Sequence, residues 1–133
     1  METTVCTPKK GIIFFGAKNS GKTKLASEII SSYNADEQVF IPCRNREPGY
    51  NSLFQDFTER TKVVLYDDVS MLWHLLMILS LPDQIFVNRK YEKPFVIPKP
   101  RLIITLCENI IDADHVFKST KVRTEFDIVL VNP

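Results

Sequence analysis

Residues 16–23 read Gly-Ala-Lys-Asn-Ser-Gly-Lys-Thr, a complete G-x-x-x-x-G-K-[ST] sequence. An apolar run at residues 12–15 enters this segment, and apolar residues at helical spacing follow it, among them Ala26 and Ile29. A strand before such a loop and a helix after it are the context in which the loop binds phosphate groups. The flanking pattern therefore favours a phosphate-binding loop over a chance glycine-containing turn, and it predicts a nucleoside-triphosphate site.

The residue types in the loop match the chemistry of a triphosphate. Glycine leaves room for backbone N–H groups to turn inward around phosphate oxygens. The Lys22 ammonium can reach the β- and γ-phosphates, and the Thr23 hydroxyl can ligate Mg²⁺. The start of the following helix adds a partial positive charge, so we expect ATP and Mg²⁺ as cofactors. The residues expected to contact the nucleotide are Gly16, Ala17, Lys18, Asn19, Ser20, Gly21, Lys22, Thr23 and Lys24.

Length and composition are those of one soluble domain. The chain has 133 residues, of which we interpret 1–10 as a polar lead-in and 11–133 as the domain. The net charge of +1 argues against a basic surface over the whole domain, although it allows a local one. Three cysteines without metal-site spacing indicate neither structural zinc nor a disulfide framework, and they favour an intracellular compartment. No run of 18 apolar residues is present, so we expect no membrane span.

Strand-like and helix-like segments alternate along the chain. The pattern predicts strands at residues 12–15, 39–41, 63–66, 102–106 and 128–131. It predicts helices from the loop to about residue 33, from about 52 to 60, and from 71 to 80 with Ser70 as N-cap. A hairpin is expected at residues 84–97. The fold class that follows is α/β, with three layers around a mostly parallel five-stranded sheet and an inserted β-hairpin.

Two acidic residues, Asp67 and Asp68, directly follow the predicted strand at 63–66. Because the carboxyl ends of parallel strands meet at one edge of a sheet, we expect both acids beside the phosphate loop. Hydrolysis needs a metal ion at the phosphates and a carboxylate that orients the attacking water. We assign Asp67 to the metal shell and Asp68 to the water. The alternative is that the pair only caps the next helix.

These features occur in a fixed order that resembles a known family. The phosphate loop is followed by the strand ending in Asp67-Asp68, by a hairpin with Lys90, and by an apolar strand leading to Asn109. The order resembles superfamily 3 helicases, and more narrowly the helicase domain of replication-associated (Rep) proteins of circovirus-like single-stranded DNA viruses. Smaller similarities lie at residues 39–50 and 87–95, and the resemblance covers about residues 11–131.

The resemblance implies an AAA+-like ATPase that assembles into a ring, often a hexamer, around single-stranded nucleic acid, with DNA favoured. Asn109 matches the polar sensor that helps to position the water. Lys90, with Lys93 beside it, matches the hairpin lysine that contacts nucleic-acid phosphate. Arg123 matches the arginine finger that reaches a neighbouring subunit's nucleotide, with two nearby lysines as competing candidates, Lys118 and Lys121. The implied catalytic residues are Lys22, Asp68, Asn109 and Arg123.

The chain also departs from the family's pattern. The loop lacks the usual G-P-P start, and Lys90-Tyr91-Glu92 replaces the common K-G-G of the hairpin. Glu108 precedes the sensor asparagine where serine is usual, which leaves an extra acid near the site. Tyr91 either stacks on a base or packs under the hairpin. These departures are typical of a divergent member.

Other side chains have simpler interpretations. We expect the apolar residues of 71–80, with Trp73, Leu76 and Met77 among them, to be core. His74 and His115 are expected at the surface or in caps, and the cysteines in or near the core. Arg44 and Arg46 are interpreted as surface charges.

Three other functions fit parts of the pattern. An RNA helicase of a picornavirus-like virus has similar motif spacing, and a small nucleoside or nucleotide kinase shares the loop. A non-catalytic ATP-dependent interaction module also fits. A GTPase is disfavoured because residues 88–91 are not N-K-x-D. Since Rep proteins also carry a nicking endonuclease and no His-x-His pair is present, we expect an excised domain or a truncated relative. For a DNA-virus Rep protein the expected location is the host nucleus.

Overall fold

The computed structural model describes residues 10–17, 20–43, 53–69, 71–108 and 113–131. The elements of this part of the chain are β1 (Gly11–Phe15), α1 (Lys22–Ile30), β2 (Gln38–Pro42), β3 (Val63–Val69), α2 (Leu72–Leu79), β4 (Gln84–Val87), β5 (Phe95–Pro98), β6 (Leu102–Cys107), α3 (Ala113–Phe117), α4 (Thr120–Glu125) and β7 (Phe126–Leu130). No helix among the described residues has the length and apolar character needed to cross a membrane.

Five strands form one sheet in the order β2-β3-β6-β1-β7, and each neighbouring pair is parallel. The central strands are rich in Val, Ile, Leu and Phe because a parallel sheet is covered on both faces. β4 and β5 form a separate antiparallel pair between α2 and β6. The predicted α/β fold with a five-stranded sheet and an inserted hairpin is confirmed.

Alternation of side chains along the strands produces two cores. On one face, Ala26 of α1 packs with Phe14, Ile104 and Leu106. On the other face, Tyr66 of β3 belongs to a larger cluster, together with residues of α2 and of the hairpin. The sheet is therefore the middle of three layers.

The chain leaves β1 and β6 in opposite directions. From β1 it passes through α1 to β2, at one edge of the sheet, whereas from β6 it passes through α3 and α4 to β7, at the other edge. Two adjacent parallel strands whose connections diverge leave a crevice at their carboxyl ends, and this is where open α/β sheets bind ligands. The crevice between β1 and β6 is the point at which the phosphate loop begins.

The helix predicted for about residues 52–60 is wrong in the described part, 53–60, which forms turns. Phe57 N donates to the Phe54 carbonyl, and Thr61 N donates to the Thr58 carbonyl, as in successive tight turns. The apolar residues that suggested helical spacing are buried all the same, because the turns fold them into the larger core.

Helix α2 corrects two expectations about its side chains. Trp73 and Leu76, expected in the core, are 37% and 45% exposed. His74, expected at the surface, is only 1% exposed, whereas His115 is exposed as predicted. The sequence of α2 is apolar all round, so it carries no polar face that would reveal which side points outward. Met71 occupies the N-cap position, and Ser70 lies outside the described residues.

Candidate nucleotide site and hairpin tip

The ammonium of Lys22 closes the phosphate loop. Lys22 begins α1, is 8% exposed, and its Nζ donates to the carbonyls of Gly16 and Ala17, each at 2.7 Å. These contacts use two of the three ammonium N–H donors. The positive charge therefore already lies within the turn of the loop.

Two glycines permit this loop geometry. Gly21, just before α1, has φ +101°, which side-chain-bearing residues rarely adopt. At Gly16 a Cβ atom would lie 2.3 Å from the Val131 carbonyl oxygen and 2.9 Å from Ser20 Oγ. Gly16 N also donates to the Cys107 carbonyl at 3.1 Å, so the root of the loop is held against β6.

Ser20 supports an anion site independently of Lys22. Its Oγ is buried and has no hydrogen-bond partner among the described residues. An unmade hydrogen bond at a buried hydroxyl is costly, so such atoms commonly mark a place that a ligand or water completes. A phosphate bound in the loop would supply an acceptor for this hydroxyl.

The acidic pair forms a bulge in β3. Tyr66 is opposite Thr105 and Val69 is opposite Cys107, so β3 has one more residue than β6 over this stretch. The additional residue lies at Asp67-Asp68, and Asp68 has φ +58°. Bulges redirect side chains and are frequent beside active sites. The carboxylates are therefore carried by a local irregularity at the end of the strand.

Electrostatics link Asp67 to the phosphate loop. Burial raises the pKa of the Asp67 carboxyl, while the backbone N–H of Asp68 opposes that rise. The negative charges of Asp68 and Glu108 raise the pKa further, and the Lys22 ammonium lowers it. The charge of Lys22, at the start of the helix that follows β1, therefore acts on Asp67 of β3, and β6 lies between β1 and β3.

Glu108 is a member of the site to which sequence reasoning gave no role. Cys107, the residue before it, is paired with Phe15 on one side and with Val69 on the other. Glu108 therefore follows the strand position that lies between the root of the loop and the end of the acidic bulge. The sequence feature that could have indicated this role is that Glu108 stands where the resembled family usually has serine. Cys107 itself is inert, since burial raises the pKa of its thiol to about 12.

The residues present fit Mg²⁺ when phosphate oxygens complete its shell. Thr23 offers a hydroxyl at the start of α1, and Asp67 offers a carboxylate; both are oxygen ligands of the kind Mg²⁺ prefers. Within the described residues, no group of three or more His, Cys, Asp or Glu could hold a metal ion.

The remaining predicted residues of the nucleotide site divide into two groups. Ala17 and Lys24 are exposed near the start of α1. Lys18, Asn19 and Asn109 lie outside the described residues, as does the segment 44–50.

The hairpin tip lies between β4 and β5. Lys90 and Lys93 are exposed there, and Tyr91 is 93% exposed with φ +67°. The ring therefore does not pack under the hairpin. Arg89, which sequence reasoning did not single out, donates from Nε to the Gln55 carbonyl at 2.6 Å and also donates to the Phe57 carbonyl.

Arg123 lies near the amino ends of the strands, whereas the phosphate loop follows the carboxyl end of β1. It belongs to the last turn of α4, which ends where β7 begins, and Phe126 of β7 is paired with Gly11 at the start of β1. The loop leaves the other end of β1, roughly 17 Å away along a five-residue strand. Arg123 is therefore not brought to the nucleotide site of its own chain.

Comparison with known proteins identifies the fold. No protein-family model matches the chain, and no curated protein does. Among solved structures, an A form apo structure of the C-terminal region of NrS-1 matches with a TM-score of 0.59 and 15% identity, covering 92% of this chain and 28% of the other. Another apo structure of that region matches with a TM-score of 0.52 and 16% identity, covering 93% and 30%. The likeness shows a shared fold, and this chain spans less than a third of those chains.

Proposed function

We propose that the chain is a Mg²⁺-dependent ATPase domain of the superfamily 3 type, which couples ATP hydrolysis to movement along, or unwinding of, single-stranded DNA in viral rolling-circle replication. The observation that carries the proposal is that the root of the phosphate loop and the acidic bulge meet the same end of β6: Gly16 N donates to the Cys107 carbonyl, and Val69 is paired with Cys107. A buried cation in a glycine loop beside a metal-binding carboxylate suits phosphoryl chemistry.

Each residue has a distinct task in the proposed reaction. Lys22 and the loop N–H groups bind the β- and γ-phosphates, and Thr23 and Asp67 would hold Mg²⁺, which when bound would neutralise charge on the phosphates. Asp68 orients a water molecule and accepts its proton as the water attacks the γ-phosphorus. Bond formation to the water oxygen and cleavage of the bond to the bridging β–γ oxygen yield ADP and phosphate.

A pair of variants tests this division of labour. Lys22→Ala should abolish binding of a fluorescent ATP analogue, because the loop loses its ammonium. Asp68→Asn should bind the analogue like wild type and release phosphate about 10²- to 10⁴-fold more slowly, the usual contribution of a general base. Asp83→Asn, at an exposed position remote from the loop, is the matched control. Normal hydrolysis by Asp68→Asn would show that the assignment is wrong.

A small nucleoside or nucleotide kinase is the competing function from a different class, and one groove is relevant to it. About 470 Å³ of space runs from Thr23 along α1, past Ile30, to Phe40 of β2. None of its lining residues is ionisable as an acid or base at neutral pH, so the groove lacks a base for an acceptor hydroxyl. Phosphoryl transfer to a nucleoside in a coupled assay would nevertheless favour the kinase over the ATPase.

Stronger stimulation of the ATPase by single-stranded RNA than by DNA would favour the RNA-helicase alternative.

A further inference from the structure

The position of Tyr91 is not explained by the stability of the fold. With 93% of its surface exposed, the ring gains almost no packing energy from the rest of the protein. Its φ of +67° lies in the left-handed region, where a bulky side chain is rare and unfavourable. Unfavourable backbone of this kind persists where surrounding structure enforces it, and it concentrates at functional sites.

The surrounding structure does fix the base of the tip. Arg89 binds the carbonyls of Gln55 and Phe57, its guanidinium lies 5.2 Å from the centroid of the Phe95 ring, and it forms an ion pair with Glu92 at 3.6 Å. These contacts connect the start of the tip to the turns at 53–57 and to the returning strand. The fold therefore holds the hairpin tip in a position from which Tyr91 projects into solvent.

The chemistry of the tip matches one nucleotide of an unpaired strand. Lys90 Nζ lies over one face of the Tyr91 ring, 5.1 Å from its centroid, and the ring is 93% exposed, so its other face is open to solvent. Aromatic rings that stack on bases, beside cations that track the backbone, are how proteins hold single strands without reading sequence. In a duplex both faces of an internal base are already stacked, so this arrangement selects unpaired nucleic acid.

We propose that Tyr91 stacks on an unpaired base of a single-stranded nucleic acid while Lys90 contacts the adjoining phosphate. The inference rests on the proposed function, for which it names the contact that holds the strand. It also explains why an aromatic residue stands where the family resemblance would place glycine.

Anisotropy of a fluorescein-labelled oligothymidylate, and of an abasic strand of the same length, tests the proposal with the whole chain. Tyr91→Ala should weaken binding of the oligothymidylate by roughly 5- to 150-fold, the usual effect of losing one base–aromatic stack. Tyr91→Phe should bind like wild type. The abasic strand should bind wild type and Tyr91→Ala equally, because it offers phosphates without bases.

Salt dependence separates the roles of the two residues. Lys90→Ala should reduce the slope of log affinity against log salt by about 0.7, the value for one phosphate contact on a single strand. Tyr91→Ala should leave that slope unchanged. Tyr91→Gly removes the ring and relieves the backbone conformation, so a loss equal to that of Tyr91→Ala assigns the effect to the ring.

The outcomes distinguish this inference from the proposed function. Wild-type binding that survives Tyr91→Ala, or equal affinity of wild type for the oligothymidylate and the abasic strand, would overturn the stacking role alone. If wild type binds no strand while Lys22→Ala still abolishes binding of the ATP analogue, nucleic-acid binding and stacking fail together and the nucleotide site stands. Equal affinity for a blunt duplex would overturn the selection of unpaired strands.

Discussion

Asp68 combines a charge expected to act on water with a backbone conformation that most residues avoid. Its φ of +58° belongs to the bulge that carries the acidic pair at the end of β3. Asn and Asp tolerate this region better than other side-chain-bearing residues do, whereas β-branched residues tolerate it poorly. Sequence reasoning predicted the acids and their edge of the sheet. It could not predict the bulge, since that depends on how β3 pairs with β6.

Substitutions at Asp68 should therefore separate the effect of its charge on stability from the effect of its backbone conformation. We expect Asp68→Asn to unfold at nearly the urea concentration of wild type. We expect Asp68→Val to be less stable than Asp68→Asn by about 1–2 kcal/mol, because a β-branched residue bears the full cost of the left-handed conformation, whereas the polar side chain of Asn offsets it by local hydrogen bonding. Equal urea midpoints for the Val and Asn variants would contradict this account of the bulge.

Glu108 should influence the Mg²⁺ concentration that binding of the ATP analogue requires. Its negative charge acts on Asp67, so it adds to the potential that attracts a divalent cation. We expect Glu108→Gln to raise, by about two- to fivefold, the Mg²⁺ concentration needed for half-maximal binding of the ATP analogue, as for the loss of roughly 0.5–1 kcal/mol of charge interaction. The exposed Glu59→Gln is the control. An unchanged Mg²⁺ requirement would remove Glu108 from the site.

At the scale of elements, periodicity located every strand of the sheet and the hairpin. It failed at residues 53–57, where long-range contacts determine the backbone conformation. Residues 53–57 have helical spacing, yet the carbonyls of Gln55 and Phe57 are taken by Arg89, more than 30 positions later. A regular helix continuing through this segment would use such carbonyls internally. For α2, the element was predicted correctly and its orientation was not.

The burial of His74 in α2 should make the fold sensitive to acid. Burial lowers the pKa of His74, and its Nε2 has no hydrogen-bond partner among the described residues. The unfolded chain therefore binds the proton more tightly, and the free energy of unfolding should decrease as the pH falls below about 6.5. His74→Leu should reduce the loss of stability between pH 7 and pH 5 by about 1 kcal/mol.

Urea unfolding at the two pH values measures this effect. His115→Gln is the matched control, because it replaces an exposed histidine. If His74→Leu retains the full pH dependence, or His115→Gln removes it, burial of His74 is not the cause.

At the scale of the molecule, β1 and β7 are parallel neighbours, but Arg123 precedes the amino end of β7, whereas the nucleotide site lies at the carboxyl end of β1. The alternation of elements predicted a parallel sheet but not the order of its strands, because crossovers of similar length can lead to either edge. Because Arg123 lies at the amino end of these strands, away from its own nucleotide site, an arginine-finger role would require a second copy of the chain. This role in a ring remains a proposal.

Mixing two inactive variants tests that role. Lys22→Ala keeps Arg123 but loses nucleotide binding, and Arg123→Ala keeps the nucleotide site but loses the finger. We expect each to lack ATPase activity alone and the mixture to regain part of it, with wild-type activity per molecule rising with protein concentration. The Lys118→Ala and Lys121→Ala variants serve as controls. Constant specific activity, with no recovery on mixing, would indicate a self-sufficient hydrolase or kinase.

The anchoring of the hairpin by Arg89 has a consequence for how this protein can diverge. Its two acceptors are main-chain oxygens, which every amino acid possesses, so the side chain at position 55 can be exchanged freely without releasing the anchor. Insertion or deletion of a single residue there would shift the oxygens out of reach. We therefore anticipate that natural variants tolerate replacement of the exposed Gln55 far more readily than any change in the length of this stretch.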